Sequence, residues 1–186
     1  MKIDRVSIED AKELLSIYAP YVEYTAVSFE YEAPSLDEFQ NRIKHISSIL
    51  PYIKAVEDNE ILGYAYANRF KDRKAYDWSV EVTVYVRQDA KRAGIGRLLY
   101  HTLEECLQRM GILNMNACIA IPKEDDRHLS KDSFHFHEKM GFTPVGIFHN
   151  SGYKFNTWYD MIWMEKMIGK HQKHQANVRY GEWTIE

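Results

Sequence analysis

Cysteine is scarce in this chain: Cys106 and Cys118 are the only two in 186 residues, and they are not spaced as C-x-x-C. That excludes a disulfide framework and a paired-thiol redox motif, and the expectation is two buried free thiols in a cytoplasmic protein. Charge of one sign is also missing. Twenty-four Lys and Arg against 27 Asp and Glu leave a formal charge of −3, which argues against a general nucleic-acid binder. No apolar run approaches membrane-spanning length, and the opening MKIDRVSIED has no signal-peptide core. No internal repeat is visible. What is present is a large apolar fraction, 45%, with 13% aromatics, enough for a sizeable core in one domain.

Local patterns mix strands and helices. Residues 3–6 read as a short strand. Ser7 with Asp10 then forms an acidic capping pattern before Ala11, Leu14, Leu15 and Tyr18 on one helical face, a helix expected to end at Pro20. Ser35 with Glu38 starts a second helix striped by Leu36, Phe39, Ile43 and Ile46. Asp58-Asn59 marks a hairpin between strands at 53–57 and 61–70. Residues 78–86 read as a strand, and 94–110 as a helix with Leu98, Leu99, Leu103 and Leu107 inward. A strand follows at 113–121, then a helix at 133–140 stopped by Gly141, then strands at 143–149 and 158–166. The class is α+β or α/β around one central mixed sheet. Residues 169–186 lack an apolar period and read as a loose extension. His171 and His174 there are better explained by a solvated tail than by a metal. His135 and His137 would point in different directions on a helix, which disfavours shared ligation.

The segment SVEVTVYVRQDAKRAGIGR (79–97) carries the most chemistry. A β-branched run ends at Val86, and Gly94-Ile95-Gly96 opens an amphipathic helix. Glycines there let backbone approach a ligand, and the free N–H groups of a first helical turn seat phosphate. Lys91, Arg92 and Arg97 add positive charge. No Lys-Ser or Lys-Thr follows either glycine, as a nucleotide P-loop requires, and Leu99 replaces the third glycine of a dinucleotide fingerprint. A strand-turn-helix whose glycines serve tight packing is the alternative.

The loop resembles the pyrophosphate loop [RQ]-x-x-G-x-[GA] of the GNAT N-acetyltransferase superfamily, with Lys91 in the first position. Segments TAVSFEYEAP (25–34), GYAYANRFKDRKAYDWSVEVTVYV (63–86), FHEKMGF (136–142) and GYKFNTWYDMIWMEK (152–166) resemble its phosphinothricin acetyltransferase branch, over residues 6–166. The resemblance implies a mostly antiparallel sheet of about seven strands, flanked by helices and splayed at the fourth strand. It divides the chain into an N-acetyltransferase domain at 1–168 and an extension at 169–186. Acetyl-CoA is then the co-substrate, with no metal, and a homodimer is the common assembly.

The same resemblance distributes roles. Glu81, a carboxylate within a Val/Thr/Tyr run, is the general base; pairing with an arginine or exposure on a sheet face is its structural alternative. His137 sits near the coenzyme sulfur with a pKa expected close to neutrality, and could equally be a helix histidine satisfied by backbone. Backbone N–H groups of Val84, Tyr85 and Val86 face the thioester, Val84 the carbonyl, in a strand freed from its neighbour, often at a bulge. Lys91, Arg92, Gly94, Ile95, Gly96 and Arg97 hold the diphosphate, with Ser133 and Phe136 on the coenzyme-side helix. Phe29, Arg73, Tyr76 and Tyr153 line the acceptor pocket, with Lys71 nearby but better read as a surface cation. Residues 123–132 are a hydrophilic insertion relative to the phosphinothricin enzymes. The reading is direct acetyl transfer to a small amino-acid-like amine, since neither cysteine has a base motif beside it. A coenzyme-binding regulatory module and a protein N-terminal acetyltransferase are the alternatives.

Overall fold

The chain was described from a computed structural model, which covers residues 1–91 and 93–185; Arg92, expected beside the coenzyme, lies outside the described residues. Strand β1 (Lys2–Arg5) leads into a capping box, in which the Ser7 N–H donates to Asp10 Oδ2 at 2.7 Å. A 3₁₀ turn then passes into α1 (Ala11–Tyr24). Pro20 lies inside α1 rather than ending it. The apolar stripe continues past it to Tyr21 and Val22, both buried, and their burial offsets the missing N–H. Helix α2 (Leu36–Ser47) starts where Ser35 Oγ accepts the Glu38 N–H at 3.2 Å. Strands β2 (Tyr52–Glu57) and β3 (Glu60–Arg69) join through Asp58 and Asn59, whose φ values of 52° and 66° suit a two-residue hairpin. There follow β4 (Ser79–Val86), α3 (Ile95–Met110), β5 (Asn114–Ile121), α4 (Asp132–Lys139), β6 (Thr143–Lys154) and β7 (Thr157–Met167).

The seven strands form one mixed sheet in the order β1-β2-β3-β4-β5-β7-β6. Helices α1 and α2 bury Leu14, Ile17, Phe39 and Ile43 against Tyr52 and Tyr64. Helix α3 buries Leu99, Leu103 and Leu107 against Val80, Val82 and Met115, with Phe136 of α4 packed on the same cluster. Leu98 turns outward and is 36% exposed, contrary to its expected place; Ile95, Leu99, Cys106 and Met110 form the buried stripe.

Between β4 and β5, the only parallel neighbours among the described residues, the sheet opens. Pairing with β5 stops after Ser79, Val80 and Glu81, whereas β4 stays paired to β3 from Val80 to Val86. The β3–β4 register runs without a shift, so the splay is made by divergence and not by a bulge. The Arg87 N–H donates to Leu62 O of β3, and hydrogen-bonding direction alternates along a strand. The N–H groups of Val84 and Val86 therefore face the opening.

The C-terminal tail is not loose. Trp183 is 5% exposed beneath the Arg5 guanidinium, 4.0 Å from its ring centre. The Arg179 N–H donates to Met110 O, the Gly181 N–H to Ile49 O, and the Tyr180 hydroxyl to Asp77 O. An irregular strap carries no helical or strand period, and for that reason its burial was invisible in the sequence.

Candidate active site

The splay holds a cavity of about 310 Å³, lined by groups from both sheet faces. Glu81, Thr83, Val84 and Tyr85 come from β4, Tyr66 from β3, Tyr100 from α3, Ser133 and His137 from α4. Cys118 of β5, Met161 of β7 and Val27 and Phe29 from the loop after α1 line it as well.

Two of these groups are electrostatically unusual. Burial raises the pKa of Glu81, with Lys71 pulling weakly the other way, and no hydrogen bond reaches its carboxylate among the described residues. A carboxylate so placed is a stronger base than an exposed one. His137 is 4% exposed, and burial pushes its pKa down to about 4, which corrects the near-neutral value expected. Its Nδ1–H donates to Ser133 O at 2.7 Å, which leaves Nε2 as the acceptor for the Tyr100 hydroxyl at 3.0 Å. Burial holds Tyr100 far above its ordinary pKa. The pair is thus a neutral imidazole orienting a neutral phenol at the cavity wall. Cys118 is solvent-accessible at the cavity, where a buried thiol was expected, and partial loss of hydration, with Glu81 beside it, pushes its thiol up to about 11. A thiol that stays protonated is a poor nucleophile.

The loop expected to hold a diphosphate adjoins the end of β4. Gly94 caps α3 with φ 83°, and a Cβ there would point into open space. The first-turn N–H groups of Ile95, Gly96 and Arg97 have no acceptor within the helix. Gly96 has a packing reason of its own: a Cβ would stand 3.3 Å from the Phe136 ring and 3.7 Å from Val86. The Ile95 side chain is in the core, so only its backbone is available. Lys91 Nζ lies 4.9 Å from the Tyr21 ring centre, and the Tyr21 hydroxyl donates to Val86 O at 2.6 Å. The Tyr85 ring packs edge-on to Tyr18 and Tyr21, at 4.9 and 5.0 Å, and by the alternation along β4 its N–H turns towards β3 and away from the opening. Glycine cradle, free N–H groups and flanking cations together suit a coenzyme diphosphate.

Three residues expected in the acceptor pocket are not among those lining the cavity. Arg73 is exposed, Tyr76 packs edge-on to Phe70, and Tyr153 leans at a tilt against Trp158 at the surface. Tyr100, Tyr66, Cys118, Met161 and Val27 went unrecognised. Tyr100 had a signal: it is a polar-tipped aromatic on the buried side of α3, four residues after Gly96. The insertion at 123–132 is ordered by Asp126, which accepts the N–H groups of His128 and Leu129 and the Tyr159 hydroxyl.

The profile of the acetyltransferase (GNAT) domain family matches residues 3–163, and the chain belongs to that family. A phosphinothricin N-acetyltransferase of Streptomyces coelicolor is 35% identical, over 86% of this chain and 92% of its own. An L-methionine sulfoximine/L-methionine sulfone acetyltransferase of Salmonella typhimurium is 26% identical, over 68% and 70%. The crystal structure of a phosphinothricin acetyltransferase from Sinorhizobium meliloti in complex with acetyl-CoA superimposes with a TM-score of 0.83 at 25% identity. It covers 97% of this chain and 98% of that one.

Proposed function

We propose that this protein is an acetyl-CoA-dependent N-acetyltransferase acting on the amine of a small amino-acid-like acceptor, of the phosphinothricin or methionine sulfone and sulfoximine type. The observation that carries the reading is the convergence of a pKa-raised, unpaired Glu81 and the Tyr100–His137 pair on one cavity at the splay. Acetyl-CoA supplies an acetyl thioester. Gly94, Gly96 and the first turn of α3, with Lys91, Arg92 and Arg97, hold its diphosphate; Ser133 and Phe136 border its path. Glu81 takes the proton of the acceptor amine, directly or through water. The Val84 N–H faces the carbonyl oxygen where negative charge develops. The departing thiolate regains a proton from Glu81 through water. Tyr100, whose one hydroxyl proton is committed to His137 Nε2, is held at the cavity wall by that histidine, which is neutral at pH 7 and has no proton to spare. Transfer is direct, because the cavity's one thiol stays protonated.

Phe29 forms one acceptor wall. Arg73 and Tyr76, on the exposed segment beside Lys71, and Tyr153 act at the entrance, meeting the acceptor's anionic group as it arrives. The catalytic domain comprises residues 1–168, followed by an extension at 169–186. The protein works in the cytoplasm as a homodimer, with neither nucleic acid nor membrane as partner. Among the described residues no helix is long and apolar enough to cross a membrane. The exposed Val145, Ile147 and Phe148 on edge strand β6, with Trp158 of β7, suit a second copy.

The test is thiol release from acetyl-CoA with a panel of amines. Phosphinothricin and the two methionine derivatives should release thiol. If only aminoglycosides, polyamines or peptide N-termini are acetylated, the acceptor assignment fails while the coenzyme assignment stands.

A further inference from the structure

Lys154 is a lysine on β6 that is 2% exposed and not among the residues lining the cavity. Its Nζ donates to three backbone carbonyls at once: Val22 at 2.6 Å, Thr25 at 2.9 Å and Ser28 at 2.8 Å. Three donors and three acceptors match, so the ammonium is fully satisfied by the last turn of α1 and the loop that follows it. That stretch leaves α1 and delivers Val27 and Phe29 to the cavity.

Further contacts hold the same loop to the β6–β7 hairpin. Gly152, two residues before Lys154, lies under the Phe29 ring, and a Cβ there would overlap the ring. The Tyr31 hydroxyl donates to Tyr153 O. Phe155 takes φ 52° at the hairpin tip and stacks on His128 at 3.8 Å and 7°. His128 in turn accepts the Ala26 N–H on its carbonyl, and its Nδ1 lies 3.0 Å from Tyr24 O. A positive φ at a phenylalanine is unfavourable and persists where surrounding contacts determine it.

We propose that Lys154 and Gly152 are positioning residues that set acceptor affinity: the lysine fixes the loop at residues 22–28 by its carbonyls, and the glycine seats the Phe29 ring that this loop presents. The proposal rests on the assignment of the cavity to the acceptor. Neither residue touches the reacting atoms; both act through Phe29 and Val27. Among the described residues their contacts outside the β6–β7 hairpin are to residues 22–29 and not to the coenzyme loop.

Lys154→Met keeps length and apolar bulk and leaves three carbonyls without their donor. Gly152→Ala leaves the ammonium cage intact and displaces only the ring. Each should raise the KM for acceptor about 10-fold or more, with the acetyl-CoA Kd by calorimetry changed less than about 2-fold. In Lys154→Met, hydrogen exchange at residues 22–30 should also accelerate. Phe29→Ala is the control. A raised acceptor KM in Phe29→Ala with native KM in both Lys154→Met and Gly152→Ala overturns the positioning role. Native acceptor KM in all three, with accelerated exchange in Lys154→Met, overturns the acceptor assignment instead. Equal loss of acceptor and coenzyme binding in Gly152→Ala reduces the two residues to fold stability and also overturns the proposal.

Discussion

At the scale of single residues, Glu81 and His137 show how burial alone can separate two roles. Both are partly or wholly removed from water, and in both the charged form is disfavoured, upward for the acid and downward for the base. Glu81→Gln keeps shape and loses basicity, so turnover should fall roughly 10²–10⁴-fold with coenzyme affinity unchanged. The same substitution should stabilise the protein at pH 7. A raised folded-state pKa means that the native state pays for ionisation above the ordinary carboxylate value of 4.5, so the gain should fade as pH falls below it. Turnover and urea unfolding of one variant check both effects; near-native turnover would leave Glu81 a structural carboxylate. For His137 the unfolded chain binds a proton between about pH 6.5 and 4 that the native state refuses. Stability is therefore whole above that window and lost on acidification, by about 2 kcal/mol between pH 7 and 5. His137→Gln should remove this pH dependence, as urea titrations at the two pH values would reveal.

At the scale of elements, the start of α3 does two jobs with two glycines. Gly96 makes room for Phe136, while Gly94 adopts φ 83° and faces open space. A side chain at Gly94 therefore clashes with nothing in the protein; it strains the cap and occupies the approach to the helix N-terminus. Gly94→Val should weaken acetyl-CoA binding by at least ~10-fold, about 1.4 kcal/mol. Unchanged affinity by calorimetry on the folded variant would remove the diphosphate from this loop. The divergence of β4 from β5 is equally an element-level property: β4 stays paired on its β3 side and leaves Val84 and Val86 N–H groups on the other.

On the scale of the whole molecule, the C-terminal strap ties distant parts together. Residues 176–184 reach Trp78, Asp77, Met110, Ile49, Cys106 and Arg5. Trp183 is the anchor. Trp183→Ala should cost about 3–5 kcal/mol, the range for a buried large aromatic, read as a lower urea midpoint at unchanged slope. A loss under about 1 kcal/mol would mean that the strap adds little to the core.

The sequence by itself determined what depends on neighbours along the chain. Capping at Ser7 and Ser35, the Asp58-Asn59 hairpin, the apolar stripes, the glycine loop before α3 and the anomaly of a glutamate in an apolar strand are all local patterns. Local energetics reproduce them in the fold because each element must bury its own periodic face. Only the tertiary structure decided where those faces meet. The Tyr100–His137 contact spans 37 residues, and the cavity exists because two parallel strands part. Arg73, Tyr76 and Tyr153 sit outside it for the same reason: side-chain chemistry names a residue able to bind, but backbone paths far apart in sequence decide whether it reaches. Solvent exposure follows from that assembly, and exposure set the pKa of His137, the place of Cys118 and the burial of a tail with no period at all.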